Sequence, residues 1–570
     1  MQLKRRGWLS PQSAKKQSVK RRKFINLQQA CWGLGVALAG QILATSATIA
    51  AEKVTLRLGP FEQAIAVSEI EKFAKTGDLP PTLQAYGAVL TPQVREILNN
   101  RLQLDPEAAD KFVADISSSP SGRQFLRSLG AAIPDLTLPQ LQAAVALAAQ
   151  QANGINLVGV LKAYPEENIT IDASSAIALA LEFNPSALQS RALSPSLAEE
   201  LLVTSNTPFQ ASFDPAAPGK ATVKTETLFL QDKQRFRSIP VDIYFPAPVP
   251  ALFSSAAANS PSPLVVISPG FGADRKFFSY LARHLASYGL TVAAIEHPDS
   301  KTRRLTVSDA SDPSKLLSAN EFINRPKDIS FVLDELAKIN RQPGNLQGKL
   351  NTEQVSVIGH SLGGYTALAV AGGELNVEQL RQSCQNTNAL AQAPADWLQC
   401  AAASLPDKRV QLRDRRVKNA IALNPLIGNL FGRDGLAKVA IPTLILASTD
   451  DAVTPILNHQ LRPFAQLQNP KYLITAVGGT HLSVANAGSS SASSEAVRER
   501  RGAEVQPLRQ LMSGVSLAFI KQLTPEAKIY APFLTSAYAQ SLSNRELALR
   551  LNTQLPANIA SWVEEPVSAK

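Results

Sequence analysis

Residues Val355 to Tyr365 read Val-Ser-Val-Ile-Gly-His-Ser-Leu-Gly-Gly-Tyr, and they constrain this chain more than any other stretch. Four strand-compatible residues run into Gly-His-Ser-Leu-Gly, and a helix-compatible Tyr-Thr-Ala-Leu-Ala-Val follows. The pattern predicts a buried strand, a sharp turn and a helix, with Ser361 raised at the turn. A serine hydroxyl is a useful nucleophile only beside a base and near a helix N-terminus. Presenting it strains the backbone, so the positions two before and two after must be small; they are Gly359 and Gly363. Gly364 lets the helix pack closely.

At 570 residues the chain exceeds one ordinary core, so more than one domain is expected. With 45% hydrophobic and 18% charged residues it reads as globular. The net charge of +11 is local: residues 1–51 hold nine of the 57 basic residues and no acid, leaving 48 bases against 46 acids elsewhere. No basic stripe carries interleaved aromatics, which excludes nucleic acid as a partner. Residues 1–51 have the layout of an export signal, basic to Lys23 and then apolar and small from Ala30 to Ala50. Arg21-Arg22-Lys23-Phe24-Ile25 fits the twin-arginine pattern. The expected location is periplasmic or extracellular; an uncleaved membrane anchor is the alternative, and only then is membrane association expected. Cys31 lies in this segment, leaving Cys384 and Cys400, which in an oxidising compartment suggest one disulfide. Two free buried thiols are the alternative. No Cys/His cluster has metal-ligand spacing, and neither metal nor cofactor is expected.

Residues 52–205 read as a mainly helical domain. Val54, Leu56 and Leu58 alternate briefly like a strand, and the pattern is helical from about Glu62 to Leu202. Thr91-Pro92 and Asp105-Pro106 mark helix starts, and Leu141, Ala144, Val145 and Ala148 form one apolar face. A linker covers 206–221. From 222 to 523 strands and helices alternate: outer strands at Thr222–Leu230 and Ile239–Tyr244, then strands at Leu264–Ser268, Thr291–Ile295, Val355, Asn419–Leu423, Thr443–Ala447 and Lys471–Ala476. Helices are expected at Lys276–Tyr288 and Pro326–Ile339. Apolar strands alternating with helices predict an α/β fold with a mostly parallel sheet covered on both faces. Sites in such sheets form at the C-terminal strand ends. Residues 374–416 interrupt the rhythm where a cap would be inserted. The segment 487–503 reads as a polar loop, and 524–570 as a helical tail.

A serine nucleophile needs a base, an orienting acid and an oxyanion hole. Of five histidines, His360 adjoins the nucleophile, His284 and His459 fall in helices, and His297 follows a strand as a pocket-lining or structural residue. His481, on a glycine-rich loop after the Lys471 strand, is the expected base. The acid should follow a strand between Ser361 and His481. Asp-x-Val-x-Pro favours Asp451, with Asp450 the alternative because adjacent residues point different ways. The preceding strand ends at Asn424, which carries no charge. The backbone N–H of Leu362 and that of Phe271, in Ser268-Pro269-Gly270-Phe271-Gly272, are the expected oxyanion donors.

Ser-Pro-Gly-Phe-Gly-Ala-Asp-Arg, Val-Ala-Ala-Ile-Glu-His-Pro-Asp and Gly-His-Ser-Leu-Gly-Gly resemble the platelet-activating-factor acetylhydrolase and dienelactone-hydrolase branch of the α/β-hydrolase fold, over roughly residues 222 to 523. The resemblance implies Ser361 as nucleophile, His481 as base, and Phe271 and Leu362 as oxyanion donors. It departs at the acid, which the acetylhydrolases place where Asn424 stands and dienelactone-type enzymes at Asp451. The N-terminal half resembles an uncharacterised helical domain fused to bacterial hydrolases of this kind. The expectation is an exported serine esterase acting on short-acyl or lipid esters. A peptidase or thioesterase with the same triad is one alternative, and a catalytically idle envelope protein binding a partner through its helical domain is another.

Overall fold

The computed structural model describes residues 51–247, 262–298, 316–385, 392–486 and 499–564, apart from 59–60, most of 87–119, 150–155, parts of 174–184, 205–207 and 469. The proposed export segment up to Ala50, the helix expected at Asp105-Pro106, most of that at Thr91-Pro92, and most of the polar loop 487–503 lie outside the described residues.

The N-terminal part is not purely helical. Strand β1 (Lys53–Leu58) lies between β2 (Phe61–Ala66), antiparallel to it, and β3 (Asn168–Asp172), parallel to it. Around this sheet lie α1 (Val67–Thr76), α2 (Pro120–Ala132), α3 (Leu138–Ala149) and α4 (Leu157–Lys162). Val54, Val67, Ala144, Tyr164 and Ile169 share one core. The expectation of helix from Glu62 onward is corrected at β2 and β3. Strands this short show too few apolar positions to declare a period of two, and β3 pairs across more than a hundred residues, with Lys53 opposite Asn168. Helix α5 (Pro185–Glu200) falls in the segment read as helical domain, yet it docks on the large sheet's core. Leu197 and Leu201 are buried with Leu362 and Tyr365, and Arg550 donates to the Ala198 carbonyl. The 206–221 segment is anchored too: Phe209 and Phe213 meet Phe533 with ring centroids 5.9 and 5.0 Å apart.

The large sheet has nine strands among the described residues, in the order β14-β13-β12-β11-β8-β6-β7-β5-β4. The hairpin β4 (Val223–Asp232) and β5 (Arg237–Pro246) is antiparallel. The parallel centre comprises β6 (Leu264–Ser268), β7 (Thr291–Ile295), β8 (Val355–His360), β11 (Val417–Leu423), β12 (Thr443–Ser448) and β13 (Lys471–Val477). Neighbouring side chains on β6 go to opposite faces, Val265 and Ile267 into one core, Leu264 and Val266 into the other, so an unbroken apolar run is what burial on both sides requires. Helices α6 (Ser279–Ser287) and α12 (Gln506–Lys521) cover the first face, and α7 (Glu321–Arg341), α8 (Leu362–Ala371) and the short α11 (Arg462–Gln466) the second.

Two boundaries are corrected. The tail from Thr524 is not only helical: after α13 (Ala527–Tyr530) and α14 (Ser536–Ser541), strand β14 (Ala548–Asn552) extends the sheet antiparallel to β13, and α15 (Ala557–Glu564) follows. The excursion at 374–416 begins where expected, with β9 (Glu374–Asn376) paired to β10 (Arg409–Gln411), α9 (Val377–Ser383) and α10 (Pro394–Leu398) between them. Its described residues pack beside α8, with Leu375, Leu380 and Trp397 in the core of Tyr365 and Leu368, and none of them lines the Ser361 cleft. Cys384 and Cys400 are bonded there, with Cα atoms 5.6 Å apart and a sequence separation of 16. Closing such a loop is worth about 3 kcal/mol. Replacing both cysteines with serine is expected to lower unfolding stability by about that amount, read as a fall in denaturant midpoint at unchanged slope. No fall would show that the bond constrains nothing in the unfolded chain.

Candidate active site

The elbow's glycines are explained by contacts. A Cβ on Gly359 would come 1.9 Å from the Gly363 carbonyl oxygen, one on Gly363 2.1 Å from the Ser268 carbonyl oxygen, and one on Gly364 2.7 Å from the Pro425 Cβ. The turn closes only if all three are bare. Ser361 itself has φ 55° and ψ −121°, a strained conformation for a residue with a side chain. Its N–H bonds to the Leu423 carbonyl, and its carbonyl accepts from Tyr365 and Leu426. Ser361 is 8% exposed and lines a small cleft with Gly270, Phe271, Ala273, Phe277, His360 and His481.

Asp451 is fully buried, and its Oδ2 lies 2.7 Å from Nδ1 of His481, itself 2% exposed. The carboxylate accepts three further bonds: the N–H groups of Val453 and Thr454 on Oδ1, and the Thr454 hydroxyl on Oδ2. This Asx-type turn fixes the aspartate's rotamer. Asp450 faces elsewhere, half-buried, accepting from the Thr449 hydroxyl. Burial opposes the His481 imidazolium, but the Asp451 carboxylate, followed by that of Glu499, outweighs it and raises the pKa above its ordinary value. Since a carboxylate can only accept, Nδ1 carries the proton and Nε2 is free to act as a base. Glu499 accepts the Leu482 N–H at 2.8 Å, and burial pushes its carboxyl up to about 7.

The remaining histidines do other work. His360 donates from Nε2 to the His481 carbonyl at 2.9 Å, and burial followed by repulsion from His481 holds its pKa well below the usual value, so it stays neutral. Asn424, with φ 40°, donates to the Thr480 and His481 carbonyls and so steadies the His481 loop. His459 accepts from the Ile427 N–H and donates to Asp396. His284 lies in α6, as its spacing indicates. His297 is buried away from the cleft: Nδ1 donates to Asp328 at 2.9 Å, so Nε2 accepts the Ser268 hydroxyl at 2.9 Å.

Phe271 follows β6, and Gly272 beside it takes φ 72°. A side chain at Gly270 would begin 3.2 Å from the Ser361 Cβ, so this loop's backbone passes directly over the serine. Leu362 opens α8, where the N–H has no partner within the helix. The sequence reading does not reach Thr454 or Glu499, and it weighs Asn424 only as a position for the acid, not as a support of the His481 loop. Thr454 alone left a signal, since Asp-x-x-Thr after a strand is an Asx-turn spacing. Among the described residues, no group of three or more His, Cys, Asp or Glu side chains could hold a metal, and no helix is long and apolar enough to cross a membrane.

Comparison with known proteins gives two family matches: residues 50–172 to a family described as "Alpha/beta hydrolase of unknown function", and residues 234–325 to "Platelet-activating factor acetylhydrolase, isoform II". A platelet-activating factor acetylhydrolase of Cavia porcellus is 27% identical across 22% of this chain and 36% of its own length. The chain thus spans about a third of that relative. The second match carries the Phe271 loop and His297 and stops short of Ser361. A mostly parallel sheet with the strand-to-helix turn at its centre gives the chain the α/β-hydrolase fold, and the matches make it similar, over residues 50–172 and 234–325, to a hydrolase family of unknown function and to the platelet-activating-factor acetylhydrolases.

Proposed function

We propose that the protein is an exported serine esterase in which Ser361, His481 and Asp451 form the triad. One observation carries the reading: a serine held in a strained turn shares a cleft with a histidine whose far nitrogen is bound by a buried aspartate. The ester carbonyl carbon is attacked by Ser361 Oγ as His481 Nε2 takes the hydroxyl proton. The carbonyl oxygen becomes an oxyanion facing the N–H groups of Phe271 and Leu362. The intermediate collapses, the C–O bond to the alcohol breaks, and His481 returns the proton to the leaving oxygen. Water, deprotonated by the same nitrogen, then releases the acid from the acyl-serine. Asp451 stays ionised and stabilises the imidazolium.

Short acyl groups, carried on lipids or smaller alcohols, are the substrate class the site favours. The cleft is small and walled by Phe271, Ala273 and Phe277, and the relative is by name an acetylhydrolase. A series of p-nitrophenyl esters from acetate upward, with a peptide and a thioester alongside, tests this. Highest kcat/KM on the shortest ester is expected; faster cleavage of the peptide or the thioester would replace the esterase reading.

Export belongs to the same proposal, supported by the basic-then-apolar sequence of 1–51 and by the Cys384–Cys400 bond. Protein isolated from the native host is expected to begin near Glu52, as read by N-terminal sequencing or intact mass. Recovery of the full-length chain from membranes would favour the anchor instead.

A further inference from the structure

A guanidinium lies fully buried behind the loop over Ser361. Arg325, on α7, is 0% exposed; its Nη1 donates to the Pro269 carbonyl at 2.9 Å and its Nη2 to the Gly270 carbonyl at 3.4 Å. Gly270 C=O and Phe271 N–H are opposite ends of one planar peptide unit, so whatever fixes the oxygen fixes the direction of the N–H. A donor on the oxygen also polarises the unit and strengthens the N–H as a donor, and a charged donor does so more than a neutral one.

The helix that carries Arg325 is itself held fast. Pro326 has no N–H to give the Phe322 carbonyl, and the Tyr365 hydroxyl from α8 supplies the bond at 2.6 Å. One turn on, Asp328 accepts from His297, Arg235 and Arg237, and Arg237 also grips Glu321 through two bonds. His297 in turn holds the Ser268 hydroxyl, so α7 secures the loop at both ends, Ser268 through His297 and Gly270 through Arg325.

Building on the esterase reading above, we propose that Arg325 is a positioning residue for transition-state stabilisation: it orients and polarises the Gly270–Phe271 peptide so that the Phe271 N–H is aimed at the developing oxyanion. It touches neither substrate nor Ser361. Its loss should therefore be felt when negative charge forms on the carbonyl oxygen, and little before.

The test compares two inhibitors. A trifluoromethyl ketone adds the serine and carries an oxyanion; the matching methyl ketone binds essentially unreacted. Arg325→Met is expected to lower kcat/KM on a p-nitrophenyl ester about 10- to 100-fold, somewhat less than outright loss of one oxyanion donor. The trifluoromethyl ketone should weaken by the same factor, and the methyl ketone by less than about twofold, a split that a merely loosened pocket would not give. Arg325→Lys, which keeps the charge but loses the fork, should fall between the two proteins. Equal losses for both ketones, or kcat/KM within about twofold of the unmodified protein, would overturn the proposal. If Arg325→Met does not fold, the Lys variant takes the same comparison, and absence of a preferential loss for the trifluoromethyl ketone overturns it there. Unmodified protein that neither hydrolyses esters nor is labelled at Ser361 would refute the esterase reading, and this proposal with it, before any Arg325 variant is made.

Discussion

Ser361→Ala is expected to lower ester hydrolysis about 10⁶-fold, the scale on which loss of a serine nucleophile acts, with the fold unchanged. The two halves of this expectation have separate causes. Alanine keeps the Cβ that the Gly270 backbone packs over, and it meets the same strain at φ 55° that serine already tolerates, so stability should hold to within about 1 kcal/mol. The hydroxyl contributes nothing to the core but is the only atom placed to form the acyl bond. What residual rate remains is direct attack by water in the cleft, helped by the oxyanion donors alone. A fluorophosphonate probe gives the second readout, since it reports nucleophile and base together without depending on the substrate chosen. Labelling of the alanine variant at the unmodified rate would mean that another nucleophile does the work.

The parts of this architecture that were legible in the sequence are those whose cause is local. Gly359, Gly363 and Gly364 announce the turn because each excludes a side chain by contact with a neighbouring backbone or with Pro425. The central strands announce themselves because both faces are buried, leaving runs such as Leu264–Ser268 and Thr443–Ser448 with no exposed position. His481 was reached by elimination among five histidines, and the structure puts it at the same sheet edge as Ser361.

The parts that stayed hidden depend on partners far away in the chain. Strand β14 is five residues with a brief alternation, Leu549 and Leu551 about Arg550, and its partner β13, which sets Leu551 opposite Ile474, lies far earlier in the chain. Helix α5 reads like its helical neighbours to the N-terminal side. The buried positions of Leu197 and Leu201, and the pairing of the Ser194 hydroxyl with Thr449 near Asp451, show that it belongs to the large sheet. Ala187 of the same helix packs on Ala452 and Val453, so a segment read as separate braces the turn around Asp451. Nothing in the local sequence distinguishes Arg325 from the chain's other arginines. Its burial follows from where α7 meets the Phe271 loop, which periodicity does not encode.

Asp451→Asn is expected to reduce kcat/KM about 10⁴-fold, whereas Asp450→Asn should change it by less than about threefold. The carboxylate of Asp451 accepts from His481 Nδ1, from two backbone N–H groups and from Thr454, and its side chain is fully buried. An amide there can turn its NH₂ toward Nδ1, which leaves the proton on Nε2 and presents Ser361 with a donor where an acceptor is needed. Asp450 is half-buried and binds only the neighbouring Thr449 hydroxyl among these groups, so its charge reaches the imidazole weakly. The pH profile separates this from simple damage. His481 must be neutral to act, so kcat/KM falls as pH drops through its pKa. With Asp451 present that pKa is raised, and the acid limb should lie above the ordinary histidine value near 6.5. Removing the charge favours the neutral ring, so in Asp451→Asn the limb should move to lower pH even as the plateau collapses. A variant that loses rate with its acid limb in place would assign Asp451 a packing role only. A larger loss in Asp450→Asn than in Asp451→Asn would reverse the assignment of the two carboxylates.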